Sequence, residues 1–156
     1  MLRLAVVVSF LLLAACSASG SETRHPVSNL RVEPLTVVTA SGEHVFQVEI
    51  ADTEESRSRG LMYRPPLGDS EGMLFQFPDM AVRSFWMANT PSSLDIIYID
   101  DAGRVVSIAK HTTPYSTSNI YSTGPAKGVL ELRAGRSDEI GLREGDRILH
   151  PFFGSQ

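Results

Sequence analysis

The sequence predicts a mostly β protein, a single-domain β-sandwich or barrel with one short helix near residues 53–60. Two observations lead to this class. Short apolar or alternating runs recur along residues 32–153, and glycine, proline and other turn-forming residues separate them. Only the stretch from Asp52 to Gly60 has the signals of a helix. Many closely spaced strands with a single helix favour a sandwich or a barrel.

The predicted strands follow one another with short turns between them. The first two, Leu35 to Thr39 and Val45 to Ile50, flank the turn residues 40–43 and form a hairpin. The remaining predicted strands cover residues 72–77, 82–87, 94–100, 104–110, 129–133 and 146–150. The run from Leu94 to Ile99 is almost wholly apolar, which is typical of a central strand that is covered on both faces.

The predicted helix and one long loop complete the domain. Thr53 can cap the helix, two glutamates follow it in the first turn, and Gly60 can supply the left-handed end. The segment from Thr112 to Lys127 has no apolar period, is rich in hydroxyl side chains and includes Tyr115 and Tyr121. Loops longer than about 12 to 15 residues are usually functional or disordered, and we interpret this one as functional.

The N-terminus has the pattern of an export signal. Arg3 is followed by an apolar run from Leu4 to Leu13, which is about half of the roughly 20 residues that span a bilayer. The run ends in Leu13-Ala14-Ala15-Cys16, which resembles the lipobox of bacterial lipoproteins. We therefore predict a cleaved signal peptide at residues 1–15, a lipidated Cys16 with a flexible tether at residues 16–31, and one domain at residues 32–153.

Cys16 is the only cysteine, so the chain cannot form an internal disulfide. A chance cysteine inside an ordinary secretory signal is the alternative. Two or three acyl chains anchor a protein stably, so the membrane is the predicted partner. Ser17 stands where inner-membrane retention usually requires Asp, which favours the periplasmic side of the outer membrane if the cell has one.

The charge balance argues against a nucleic-acid partner. Without Arg3, 13 Lys and Arg remain against 18 Asp and Glu, a net side-chain charge of −5. A mildly acidic domain without a basic cluster is not typical of nucleic-acid binding, nor of docking onto anionic lipid.

Five blocks occur in order along the domain: Gly60-Leu61-Met62-Tyr63-Arg64, Gly72-Met73-Leu74-Phe75, Phe85-Trp86-Met87-Ala88-Asn89-Thr90, Leu94-Asp95-Ile96-Ile97-Tyr98-Ile99-Asp100 and Gly103-Arg104-Val105-Val106. Together they resemble a bacterial and archaeal family, the domain of unknown function numbered 192, from about Val32 to Phe152. That family usually has Lys where this chain has Ala88. The resemblance implies a jelly-roll-like β-sandwich and implies no activity.

The usual catalytic and metal-binding motifs are absent from the sequence. It contains no Gly-x-Ser-x-Gly elbow, no His-Glu-x-x-His and no glycine loop that cradles phosphate. The four histidines lie far apart and form no spaced ligand pair. We predict no cofactor and no metal, with a metal site assembled from distant strands as the open alternative.

Acidic residues within strands are the candidates for a polar site. Asp95 lies in an apolar strand, where burial of an unpaired carboxylate is costly, and Arg64 is its predicted partner. A structural polar network is the simpler explanation of the same residues. Asp95 and Glu131 could instead form the catalytic carboxyl pair of a hydrolase, since glycoside hydrolysis uses two facing carboxyl groups.

Trp86 is the candidate aromatic residue. It stands between Phe85 and Met87, so a strand sends it to the face opposite both neighbours, and it is either core or the floor of a cleft. Our leading hypothesis is a membrane-anchored binding or accessory module for a small polar or glycan-like ligand. The predicted binding residues are Arg64, Trp86, Asn89, Asp95, Tyr115, Tyr121 and Glu131. A carboxylate-dependent hydrolase of the cell envelope and a purely structural envelope protein are the alternatives.

Overall fold

The structure, a computed structural model, describes residues 22–154, so the predicted signal peptide and the lipidated Cys16 lie outside the described residues. Within this range the chain forms β1 (Val32–Thr39), β2 (Gly42–Ala51), α1 (Glu54–Arg59), β3 (Glu71–Phe85), β4 (Leu94–Ile99), β5 (Val105–Ala109), β6 (Ile120–Arg133), α2 (Arg136–Glu139), β7 (Arg147–Leu149) and a final 3-10 turn (Pro151–Phe153). No helix in this range is both long and apolar enough to cross a bilayer.

All seven strands belong to one sheet with the order β5-β4-β6-β3-β2-β1-β7. Neighbouring strands run antiparallel except β2 and β3, which are parallel. The sheet curls until its two edges meet, where Val105 N donates to Asp146 O at 2.9 Å and Ile148 N donates to Gly103 O at 2.7 Å. The predicted mostly β fold is confirmed, and the barrel is the nearer of the two predicted architectures.

Gly103 allows the two edges to approach each other. Its φ of +76° lies in the left-handed region, and a Cβ at this position would stand 2.5 Å from the carbonyl oxygen of Ile148. A side chain would therefore strain the backbone and collide with the neighbouring edge strand.

The curled sheet separates two hydrophobic cores. The inner core fills the barrel and consists of Leu35, Val37, Phe46, Val48, Ile50, Leu74, Ile97, Ile99, Val105, Leu130, Leu132, Ile140, Leu142, Ile148 and Phe153. The outer core lies on the opposite face under the loops after α1 and β3, and consists of Ala51, Leu61, Leu67, Met73, Phe75, Met87, Leu94, Ile96, Tyr98, Ala126 and Val129. Strand β4 is buried along its whole length between them, which confirms the predicted central strand.

The structure corrects the predicted boundaries in the middle of the chain. The two strands predicted at residues 72–77 and 82–87 form one strand, β3, with a register shift between Gln76 and Ala81. The second half of the predicted loop at residues 112–127 is the beginning of β6, which pairs with the end of β3. The hydroxyl-rich sequence of this segment lacks the apolar alternation of a half-buried strand because most of it faces solvent.

Helix α1 forms where it was predicted. Thr53 is the N-cap and its Oγ1 accepts from Ser56 N at 3.1 Å, while Gly60 N donates to Ser56 O at 2.9 Å. Arg57 fixes the helix to the sheet, because its guanidinium donates to the carbonyl oxygen of Gln76 at 2.9 Å. The C-terminal end of α1 is thereby held over the outer face of β3.

The end of the predicted tether contacts the domain. Val32 N donates to Thr23 O at 2.8 Å, Ile50 N donates to Arg31 O at 2.9 Å, and Ser28 Oγ donates to the carboxylate of Glu49. The folded part of the chain thus starts before Val32, where the sequence predicted the tether to end. The buried carboxylate of Glu49, which needs donors, accounts for this attachment.

Candidate functional site

A cavity of about 40 Å³ opens on the outer face of the sheet beside the end of α1. We call it the Glu131 cavity, and its lining residues are Arg57, Ser58, Arg59, Gly60, Leu61, Met62, Phe75, Phe85, Trp86, Thr90 and Glu131. One water molecule requires roughly 10–15 Å³ of such volume, so the cavity can admit a small polar group but no sugar ring.

Gly60 brings the loop after α1 close to the sheet. A Cβ on Gly60 would lie 3.3 Å from Cζ of Phe75, and the residue has a φ of +47°. Glycine therefore meets two requirements here, the left-handed end of α1 and the close approach to an aromatic ring. This approach forms one wall of the Glu131 cavity.

Glu131 supplies the single acidic group in the cavity lining. The residue is only 4% exposed, and within residues 22–154 its carboxyl group makes no hydrogen bond and borders the cavity. Burial raises the pKa of Glu131 to about 8. At neutral pH the carboxyl is therefore mostly protonated, because an ionised carboxylate without a partner is costly to bury.

Trp86 lies at the mouth of the cavity and is 51% exposed. Trp86 directly follows the last residue of β3, so it lies at the end of the strand while Phe85 packs into the outer core. The Phe85 ring meets the Phe75 ring edge-on, with a centroid distance of 4.9 Å. Trp86 is thus neither fully core nor fully surface, and together with Phe75 and Phe85 it gives the cavity an aromatic lining.

Three loops meet beside the cavity through their backbones. Tyr63 N donates to Asn89 O at 2.8 Å, and Tyr115 N donates to Thr90 O at 3.1 Å. Tyr63, Asn89 and Tyr115 all have left-handed φ values between +56° and +60°, which is unusual for residues other than glycine. Backbone strain of this kind collects at functional sites, where the surrounding structure holds it in place.

The structure brings some of the predicted binding residues to this region. Trp86 and Glu131 line the same cavity, and Asn89 Nδ2 lies 3.9 Å from the sulfur of Met62, another lining residue. Tyr115 is exposed on the neighbouring loop. Tyr121 is exposed opposite Ser84 on β3, two residues before Trp86.

Asp95 does not belong to this site. Its carboxylate is fully buried and accepts from His111 N and Ser137 N, both at 3.0 Å. These bonds attach the start of α2 and the end of β5 to β4. The role is structural, although the partners of Asp95 are backbone N–H groups and not the Arg64 side chain that the predicted network paired with it.

Asp95 and Glu131 point away from each other. Asp95 shares its face of β4 with Ile97 of the inner core, whereas Glu131 shares its face of β6 with Val129 of the outer core. Two side chains on opposite faces of one sheet cannot act on the same bond. The carboxylate pair considered for a hydrolase is therefore not formed by these two residues.

Arg64 pairs with Glu49, and its predicted pairing with Asp95 is wrong. Its two terminal nitrogens donate to the two carboxylate oxygens of Glu49 at 3.0 and 2.7 Å. Burial opposes the charge of Glu49, but the hydrogen bonds from Arg64 and Ser28 outweigh it and leave the pKa of Glu49 below its usual range. The sequence could not distinguish the two acids, since both lie in strands distant along the chain from Arg64.

A larger cavity of about 430 Å³, which we call the α1 cleft, lies between α1 and residues 27–30. Its lining is polar in large part and consists of Val27, Ser28, Asn29, Leu30, Thr53, Glu55, Ser56, Arg59, Gly60 and Arg64. Arg59 and Gly60 line both cavities, so the α1 cleft adjoins the Glu131 cavity. Its volume lies within the range of roughly 300–1,000 Å³ that is typical of small-molecule sites.

Sequence reasoning missed several residues of the two cavities. Gly60 was predicted to end the helix but not to line a cavity, Phe75 was recognised only as part of a family block, and residues 27–30 were assigned to the tether. The separated positions of Ser28, Glu49 and Arg64 offered no local pattern from which their contact could be inferred.

Across residues 22–154, His, Cys, Asp and Glu side chains form no group of three that could hold a metal ion.

Comparison with known proteins identifies one family and two similar solved structures. The model of DUF192, described as an uncharacterized ACR, matches residues 36–150. A crystal structure of a protein of unknown function from Novosphingobium aromaticivorans is 41% identical, with a TM-score of 0.79 over 85% of this chain and 94% of that one. A candidate transcription regulator from Sinorhizobium meliloti is 37% identical, with a TM-score of 0.73 over 76% of this chain and 92% of that one. No curated protein matches the sequence.

The Glu131→Gln substitution tests the protonation of the buried carboxyl. Because the folded pKa of Glu131 is raised, the native protein binds more protons than the unfolded chain between about pH 4.5 and 8, and wild-type stability falls as the pH rises through this window. We expect the free energy of unfolding of Glu131→Gln, relative to wild type, to increase by roughly 4 kcal/mol between pH 5 and pH 9 in urea titrations.

Glu43→Gln is the matched control, because it removes the same charge from an exposed position at the start of β2. Its stability relative to wild type should stay nearly constant over this pH range. Equal pH dependence of the two variants would show that Glu131 ionises normally.

Proposed function

This chain belongs to the uncharacterized family DUF192, and on that premise we propose that it is a lipid-anchored module that binds a small polar or glycan-like ligand. The observation that carries the proposal is the pair of adjoining cavities at the end of α1, one of which is bordered by the largely buried Glu131, whose carboxyl makes no hydrogen bond within residues 22–154. Buried polar groups in proteins are usually hydrogen-bonded, so a carboxyl that makes no hydrogen bond to the protein needs an explanation. A ligand that forms the missing hydrogen bond would provide it.

The two cavities suit different parts of one ligand. The Glu131 cavity is large enough for an end group alone, whereas the α1 cleft has room for the body of a small molecule. Hydroxyl, amide and guanidinium groups line the cleft, and the half-exposed Trp86 borders the smaller cavity, where its ring can contact the ligand. Apolar surface with a few convergent polar groups is the usual composition of a ligand site.

Catalysis by paired carboxylates has less support. Glu49 and Glu131 lie in one row across the outer face, since each is opposite Met73 in the sheet register. However, Arg64 and Ser28 occupy the carboxylate of Glu49, and Glu49 lines neither cavity. A substrate in the Glu131 cavity would meet one carboxyl group there.

A nucleic-acid partner has no support from the charge of the chain, which is −4 with the histidines neutral. The regulatory role described for the Sinorhizobium protein is therefore not part of the proposal.

The proposed anchor would place the α1 cleft close to the membrane. Five residues lie between Cys16 and Glu22, the first described residue, and the six steps from one Cα to the next span at most about 20 Å. Residues 27–30, which follow shortly afterwards, form one wall of the cleft. A lipid on Cys16 would thus keep the cleft near the bilayer surface, where small solutes of the envelope or lipid-linked groups can reach it.

The anchor can be tested by intact-mass spectrometry and detergent phase partitioning of the protein produced in a bacterial host. We expect the mature N-terminus to be Cys16 with a diacylglyceryl group, and the product to enter the detergent phase. Cys16→Ser should abolish both results, and Ser17→Ala is the control that should preserve lipidation. An unmodified terminus on a freely soluble wild-type product would contradict the anchor.

Binding can be followed through Trp86, because it is the only tryptophan in the chain. We expect N,N′-diacetylchitobiose or glycerol phosphate to shift its emission to shorter wavelength as the ring loses contact with water. Saturating ligand should also stabilise the protein by about 2.7 kcal/mol at 100 times Kd.

Trp86→Ala should lose the thermal stabilisation while remaining folded, whereas Val45→Ala, which alters an exposed side chain on β2, should retain it. If neither probe changes the emission or the Tm at millimolar concentration, binding of neutral or phosphorylated polar ligands at this site is excluded.

A further inference from the structure

The Glu131 cavity combines one acid with an aromatic lining. Phe75, Phe85 and Trp86 form part of the lining, which also includes two arginines, and Glu131 is the only acidic residue that lines the cavity. Aromatic faces attract cations through their quadrupole, and a buried carboxylate becomes stable when a cation pairs with it. Both features favour the same kind of guest, a small cation.

We infer that the Glu131 cavity is a receptor for a primary ammonium group. The inference rests on the proposed binding function and deepens it, because it names the chemical group that enters the smaller cavity. In the unliganded protein Glu131 keeps its proton for lack of a partner. The ammonium supplies that partner, and the carboxyl then ionises to form a buried, hydrogen-bonded ion pair.

The size of the cavity selects among cations. Its volume of about 40 Å³ is a few times the roughly 10–15 Å³ that one water molecule requires, which is enough for an ammonium head and the carbon attached to it. A quaternary ammonium carries three additional methyl groups and does not fit. A metal ion lacks ligands here, because no second acidic residue or histidine lines the cavity.

Thr90 provides a second acceptor. Its Oγ1 donates to the carbonyl oxygen of Ala88 at 3.2 Å, which leaves the lone pairs of this oxygen free. Thr90 is buried and lines the same cavity as Glu131. An ammonium group has three donors and no acceptor, so a carboxylate and a hydroxyl oxygen together suit it better than they suit a hydroxyl guest.

The other charged and titratable groups around Glu131 do not take the place of the ammonium as the partner of its carboxyl. Tyr98 on β4 donates its hydroxyl to Ile120 O at 2.6 Å, and burial, reinforced by Glu131, raises its pKa above the ordinary range. Arg57 on α1 is engaged by the carbonyl oxygens of Asp52 and Gln76. Arg59 is exposed at the boundary with the α1 cleft, so the body of the ligand passes beside it.

Binding releases a proton. Protonated Glu131 and a free alkylammonium become a carboxylate–ammonium pair, and the carboxyl proton passes to solvent. Since the pKa of free Glu131 is about 8, nearly one proton is released per ligand at pH 7. The affinity for the ammonium ligand then falls about tenfold for each pH unit below this pKa.

The test compares three probes that share a butyl chain: n-butylammonium, n-butanol and n-butyltrimethylammonium. Each is titrated into the full-length mature protein in detergent micelles, with Trp86 emission as the readout and calorimetry in two buffers of different ionisation enthalpy to count protons. We expect n-butylammonium alone to bind, with the release of about one proton at pH 7. Glu131→Gln should weaken it at least tenfold, and Glu43→Gln should leave it unchanged.

Equal binding of n-butanol, binding of n-butylammonium without proton release, or unchanged affinity in Glu131→Gln would overturn the inference. Emission shifts with diacetylchitobiose but none with n-butylammonium would also overturn it, while the proposed binding function would stand.

Nα-acetyl-lysinamide and glucosamine then distinguish two sources of the ammonium group, a lysine-type side chain and an amino sugar. Tighter binding of either one than of n-butylammonium supports the receptor and identifies the carrier.

Discussion

The central strands of this sheet are buried on both faces, and this constraint governs the rest of the structure. Because β4 and β6 lie between an inner and an outer hydrophobic core, no side chain in their middle can reach water without a cavity. Every acid placed there must accept hydrogen bonds, pair with a cation or keep its proton. The same constraint applies to the buried Glu49 on β2. Together with Asp95 on β4 and Glu131 on β6, it makes three acids that meet the constraint in three different ways.

Asp95 accepts two backbone N–H groups and thereby holds α2 and the end of β5 against the barrel. Glu49 pairs with Arg64 and accepts from Ser28, which attaches the segment before β1 to the sheet. Glu131 has neither kind of partner among the described residues and opens instead onto a cavity. The first two acids are explained by the stability of the fold, and the third is the one that a ligand would complete.

Features that depend on neighbouring residues in the sequence could be predicted, whereas contacts between residues far apart in the sequence could not. The turn signals, the Thr53 cap and the apolar run at Leu94 are local patterns, and they predicted α1, most strands and the central position of β4. The partners of Arg64 depend on which strands lie side by side, which no local pattern contains. Strand alternation could have shown that Asp95 and Glu131 point apart, but only once the β4–β6 register was known. Trp86 and Glu131 were predicted individually, whereas the cavity that joins them arises from the fold.

The central claim is that the carboxyl of Glu131 is neutral in the folded protein at physiological pH. A ¹³C NMR titration of the glutamate side-chain carboxyl carbons measures this directly, with Glu131→Gln identifying the resonance. We expect the Glu131 carbon to titrate with a midpoint near the pKa of about 8. A midpoint near the ordinary glutamate value of 4.5 would contradict it, since the carboxyl would then be charged and the cavity would already contain a partner for it.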